Sequence, residues 1–118
     1  MKNEERDLRG RTKVFSRRII RLHSSLPRET VAQVLGKQVL RSGTSIGANY
    51  REACRARSKA EFISKTGDCL KEADETLYWL DLMQEEKIVS QRKLSALLDE
   101  ADQLVAILVA SLNTSRGN

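Results

Sequence analysis

SIGANYREACRARSKAEF, residues 45–62, closes one amphipathic helix and opens the next, and its reading decides the fold. Ser58-Lys59-Ala60-Glu61 fits a capping box, in which the Ser58 hydroxyl accepts from the amide three residues on while Glu61 reaches back. A helix boundary therefore falls at Arg57/Ser58. Upstream of it the stretch carries an inward-projected Asn49, a glycine at 47 and a run of basic residues, Arg51, Arg55, Arg57 and Lys59.

Working back from the boundary, positions projected at 100° per residue give a helix over about 28–56 with three faces. Val31, Leu35, Gln38, Ser42, Ile46, Asn49 and Ala53 read as its core stripe; Gly36, Gly43, Gly47 and Cys54 form a small-residue strip; Lys37, Arg41, Arg51 and Arg55 form a basic strip. A glycine inside a helix costs about 1 kcal/mol against alanine, so three on one face call for the close approach of another backbone, in this chain or in a second subunit. A flexible or kinked helix is the alternative. Asn49, with Glu52 at its border, reads as a polar network in the core that fixes helix register, because an unpartnered polar group out of water costs a few kcal/mol.

Further back, Leu8, Thr12, Phe15, Ile19, Leu22 and Leu26 make one stripe with Lys13, Arg17 and Arg21 opposite, a helix over about 8–25. Leu26-Pro27 closes it, since proline disfavours helical geometry in the residue before it and suits the first turn of a following helix. Forward of Ser58, a helix over about 59–86 carries Phe62, Thr66, Cys69, Leu70, Ala73, Leu77 and Leu80, flanked by Glu61, Asp68, Glu72 and Glu75. Tyr78, Trp79 and Leu82 fall outside that stripe and, with Gly43 and Gly47, are the expected oligomer contacts. After Lys87–Ser90, a helix over about 91–112 has the densest stripe, Leu94, Leu97, Leu98, Ala101, Leu104, Val105, Leu108 and Leu112, and the polar tail is expected to fray. Four amphipathic helices on short turns predict an all-α, antiparallel up-down-up-down four-helix bundle in one domain, 1–118.

Composition agrees: 118 residues leave room for one core, aromatics are 4% and charged residues 31%. Residues 1–59 hold 15 Lys/Arg against 5 Asp/Glu, and residues 60–118 hold 6 against 11, so a polyanion would meet the first half. Cys54 and Cys69 lie in helical patterns without metal-ligand spacing and read as free thiols in a reduced cytoplasm. MKNEERDLRGR has no apolar signal region and no run is long enough to span a membrane, so a soluble, cytoplasmic protein is expected. His23 is the lone histidine and no glutamate stands three residues before it, which excludes a di-iron bundle. There is no phosphate loop, no nucleophile elbow and no thiol placed near a histidine, and neither a metal nor a cofactor is called for; the expectation is a non-enzyme.

SIGANYREA, followed by SKAEFI and LKEADETLYWLDLM, resembles the bacterial four-helix bundle proteins that include those encoded by intervening sequences within 23S rRNA genes; it is more distantly similar to the accessory variability proteins of diversity-generating retroelements. The similarity spans roughly residues 8–112. Its most specific parts are Ser45, Ile46, Ala48, Asn49 and Glu52, then Ser58, Glu61, Phe62 and Ile63; many members carry proline at the place of Gly47, isoleucine at Tyr50 and glycine at Ala53. The resemblance implies a four-helix protomer assembling into a homopentameric ring with a basic surface and, in the retroelement branch, binding to nucleic acid and to a reverse transcriptase.

The expected function is therefore an oligomeric binder of RNA or DNA, with Arg41, Arg51, Arg55, Arg57 and Lys59 as phosphate contacts and Lys13, Arg17 and Arg21 in support. No aromatic side chain falls on these basic strips, so base stacking and sequence readout should be weak. The rival expectation is a protein-interaction adaptor whose basic strip docks an acidic partner, such as a reverse transcriptase, or the acidic flank of another subunit.

Overall fold

The computed structural model describes residues 3–117, and side chains for residues 8–117. Four helices follow one another: α1 (Asn3–Ser24), α2 (Thr30–Cys54), α3 (Lys59–Glu85) and α4 (Gln91–Gly117). Each packs on its neighbour in sequence, and α1 closes more loosely onto α4, giving the antiparallel four-helix bundle expected from the sequence. Cross-helix partners fix the directions. Ile19 meets Gly43 and Thr12 meets Gly47 between α1 and α2; Ser42 and Thr76 share a buried 2.9 Å hydrogen bond between α2 and α3. Gln84 donates to Ser95 at 3.3 Å between α3 and α4. The body measures 47 × 20 × 19 Å, about the length of one 27-residue helix at ~1.5 Å per residue.

The core runs the length of the bundle. Phe15, Ile19, Val39, Ile46, Tyr50, Leu80, Met83, Leu94, Leu104 and Leu108 are wholly buried, and the stripes read for the first and last helices are the buried faces of α1 and α4. The boundary at Arg57/Ser58 lies where the sequence puts it. Ser58 Oγ accepts from Glu61 N at 3.0 Å, and Glu61 Oε1 reaches back to the amide of Arg57, 2.6 Å away. At its other end α3 stops in a Schellman motif: Ile88 N donates to Met83 O at 3.0 Å and Lys87 N to Gln84 O at 3.1 Å, with Lys87 at a φ of 56°.

Other boundaries move. α1 starts at Asn3 rather than near 8, since glutamate and arginine have good intrinsic helix propensity. α2 spans Thr30–Cys54 rather than 28–56, with Glu29 as an N-cap residue that makes no side-chain cap. α4 runs past 112 to Gly117, with Leu112 buried and Ser111 and Ser115 half-buried.

The faces of α2 need a larger correction. Its buried residues are Ala32, Gly36, Val39, Ser42, Gly43, Ile46, Tyr50 and Ala53. Val31 is 57% exposed, while Leu35, Gln38 and Asn49 are half-buried at the edge toward α3. The core arc is thus rotated toward the glycines, because α2 packs on α1 as well as α3. A Cβ on Gly43 would lie 2.9 Å from Ile19 Cγ1, so that glycine serves contact within the chain; it is not exposed for the oligomer contact expected of it. Gly47, one turn on, is half-buried against Thr12 and Ser16, and Cys54 is exposed.

Candidate nucleic-acid interface

The eight basic residues expected to meet phosphate lie on α1, on α2 and on the turn into α3, and all are exposed. Their surroundings separate them. Arg41 is held by two carboxylates of the acidic flank: Nη2 pairs with Glu75 and Nη1 lies 3.6 Å from Glu72. The hydrogen bond to Glu75 and the charges of both glutamates raise the guanidinium pKa further above its ordinary value. Glu75 also accepts from Trp79 Nε1 at 3.1 Å, and that bond, with Arg41, lowers the Glu75 pKa. Arg41 is therefore corrected from an open phosphate contact to a strut between α2 and α3.

Arg57 stays 91% exposed, with its Nε 4.0 Å from Glu61, a distance at which a solvated pair contributes little. Lys13, Arg17, Arg21, Arg51, Arg55 and Lys59 make no ion pair among the described residues. Arg17 and Arg21 sit on the back of α1, away from α2. Lys13 and Arg51 face each other across the α1–α2 seam.

There the two helices leave a groove of about 570 Å³. Arg9, Lys13 and Arg51 line it, together with Ser16, Gly47 and Tyr50. Thr12, at its floor, is 1% exposed and donates to Leu8 O at 2.6 Å; Ser16 donates to Thr12 O at 3.0 Å. Gly47 lets α2 pack close at the floor, where an added Cβ would stand in van der Waals contact with Thr12 O and Oγ1 at 3.4 Å. Arg9 and Tyr50 were not singled out in the sequence, although Arg9 stands one turn before Lys13 and Tyr50 one turn after Ile46. Three cations converging on one concavity raise the local concentration of anions.

The polar network expected of Asn49 and Glu52 is also corrected. Asn49 is half-buried, and Glu52 is 56% exposed and pairs with Lys65 at 2.8 Å. That pair joins α2 to α3 on the surface, and the hydrogen bond to Glu52 raises the Lys65 pKa. The buried polar link between these helices is Ser42–Thr76 instead.

Of the residues outside the α3 stripe, Tyr78 is 60% exposed, and Trp79 and Leu82 are half-buried. The rings of Tyr78 and Trp79 meet edge to face at 5.1 Å. Val31 and Val34, 57% and 55% exposed, are further exposed apolar residues, on α2. His23 is half-buried with Nε2 beside Gly36. Among the described residues no group of three or more His, Cys, Asp or Glu could hold a metal ion, and no helix is long and apolar enough to cross a membrane.

No curated protein matches the chain. A solved structure does: a protein of unknown function from the S23 ribosomal protein family of Bacteroides thetaiotaomicron VPI-5482 is 35% identical. It covers 93% of this chain and 98% of its own, with a TM-score of 0.87. The model of the 23S rRNA-intervening sequence proteins matches residues 4–110. A match over nearly the whole bundle, from the start of α1 to the last turns of α4, makes this chain a member of the 23S rRNA-intervening sequence protein family.

Proposed function

We propose that this protein is a non-enzymatic, cytoplasmic, oligomeric scaffold that binds nucleic acid, RNA or DNA, through the basic faces of α1 and α2, largely without reading base sequence. The observation that carries the reading is the convergence of Arg9, Lys13 and Arg51 on one groove with no acidic partner among the described residues. Arg55 and Lys59, at the turn that follows α2, extend the same positive surface. Tyr50, the aromatic residue that lines the groove, is wholly buried, so it offers no exposed ring for base stacking. The family's name refers to 23S rRNA, a polyanion of the kind such a surface would meet. Repetition around the homopentamer implied by the resemblance would multiply these contacts.

The test is a salt titration of purified protein against labelled RNA and DNA, with native mass measured alongside. Three phosphate contacts per protomer correspond to a slope of log K on log salt of about −2 for single strands and about −3 for duplex. Absence of binding at low salt would sink the nucleic-acid reading, and a monomeric native mass would sink the assembly.

A second reading is a protein-interaction adaptor whose basic strip docks an acidic partner, such as a reverse transcriptase, or another subunit. Its support is the manner in which Arg41 already holds Glu72 and Glu75, so the strip suits carboxylates as well as phosphates.

A further inference from the structure

We propose that the α1–α2 groove is a ribose-phosphate subsite that seats one nucleotide step of an RNA strand and prefers it to DNA. The inference rests on the nucleic-acid reading above and narrows its ligand. The volume of about 570 Å³ falls in the range of roughly 300–1,000 Å³ typical of ligand pockets and is far more than a bare phosphate needs. Arg9, Lys13 and Arg51 supply the positive charge for a phosphodiester.

The hydroxyl groups decide the rest. Ser16 Oγ spends its proton on Thr12 O at 3.0 Å, and Thr12 Oγ1 spends its own on Leu8 O at 2.6 Å. Half-buried Ser16 therefore offers the groove lone pairs, which suit a ligand that brings a hydroxyl donor and not a second anionic oxygen. Within the sugar-phosphate backbone of a strand the 3′ and 5′ oxygens are esterified, so the ribose 2′-OH is the one backbone donor that remains, and it is what separates RNA from DNA at such a site. Gly47 brings α2 close to Thr12 and Ser16, an added Cβ there standing 3.5 Å from Ser16 Oγ, so a sugar would rest on the seam over Gly47 with Ser16 Oγ at its edge.

The experiment uses the full chain, matched single-stranded RNA and DNA of one sequence, and a ribonucleoside 5′-monophosphate as the small probe. Wild type is expected to bind RNA several-fold tighter than DNA, and Ser16→Ala to lower RNA affinity to the DNA value while leaving DNA unchanged. Arg9→Gln should weaken both strands and reduce the salt slope by about 1. Gly47→Leu, which raises a side chain from the floor, should weaken RNA most; its helical content and melting temperature are measured first, and Arg9→Gln, at an exposed position, decides the matter if it misfolds. Arg92→Gln, at the start of α4, is expected to change nothing. Equal affinity of wild type for RNA and DNA overturns the inference, as does RNA binding untouched by Arg9→Gln and Ser16→Ala; both results leave the nucleic-acid reading standing. Binding of the monophosphate with no binding of either strand overturns that reading and, with it, the preference for an RNA strand. No binding of any probe overturns both.

Discussion

Replacing Gly43 by alanine sets two effects of known size against each other. The helix gains about 1 kcal/mol from the loss of glycine's excess backbone freedom. Against that, the new Cβ would stand 2.9 Å from Ile19 Cγ1 and 3.0 Å from Cγ2, below any comfortable contact. Ile19 is wholly buried and branched at Cβ, so its rotamer is stiff and α1 must shift to make room. Overpacking of this kind costs about 1–3 kcal/mol, and Gly43→Ala is therefore expected to destabilise the bundle by about 1 kcal/mol net. Gly67 in α3 is the internal control, because nothing lies within 4 Å of a Cβ added there, and Gly67→Ala should stabilise by about 1 kcal/mol. Trimming the obstacle reverses the sign: in an Ile19→Ala background, Gly43→Ala should become stabilising. Urea unfolding, followed by helical circular dichroism and the fluorescence of the single Trp79, gives all four values. If Gly43→Ala proves as stabilising as Gly67→Ala, the glycines of α2 are not there to admit α1, and the packing argument fails.

Lys87→Gly should stabilise by about 1 kcal/mol, because Lys87 sits at a φ of 56° at the C′ position of α3, where a Cβ is disfavoured; denaturant midpoints compare the two chains. Glu75 has its pKa lowered from 4.5, first by the hydrogen bond from Trp79 and then by Arg41. Stability from a lowered carboxylate pKa is present above the unfolded value and lost as pH falls through the folded one, so Glu75→Gln should flatten the acid limb of the stability curve below about pH 4.5. Burial pushes the Cys69 thiol up to about 12, whereas Cys54 is exposed. A thiol reagent at neutral pH should therefore modify Cys54 quickly and Cys69 only on unfolding, which mass spectrometry of the native and denatured chain reads directly.

How legible the fold was in the sequence varied with how many neighbours each helix has. α1 and α4 bury continuous apolar stripes, and their faces follow from spacing alone. α2 faces α1 across glycines and α3 across leucine, glutamine and serine, so the apolar residues mark only one edge of its buried arc. A projection that weighs hydrophobicity treats Gly43 as absence, although it lies nearer the middle of the contact than Val31 does. Tyr50 was missed for the same reason, standing seven residues after Gly43 on a line whose earlier members have no apolar side chain. At the candidate site, the basic character of α1 and α2 was plain in the sequence. Which cations are neutralised was not, because the pairing of Arg41 with Glu72 and Glu75 depends on inter-helix register. Arg9, Lys13 and Arg51 share a groove only through that register too.

The loose closure of α1 on α4 bears on how the chain reaches its native state. Every other helix pairing joins sequence neighbours across turns of a few residues, so loop-closure entropy is small and the order of contacts is local, the regime of fast folding. Among the described residues only the α1–α4 seam ties together positions about ninety apart, through the forked contact of Arg11 with Glu100 at 3.0 and 2.8 Å and with Gln103 at 3.0 Å. Lys93 on Ser25, at 3.0 Å, fastens the opposite end. These polar clasps close a seam that sequence neighbours do not share, so the α1–α4 pairing is expected to be the last to form and the first to open.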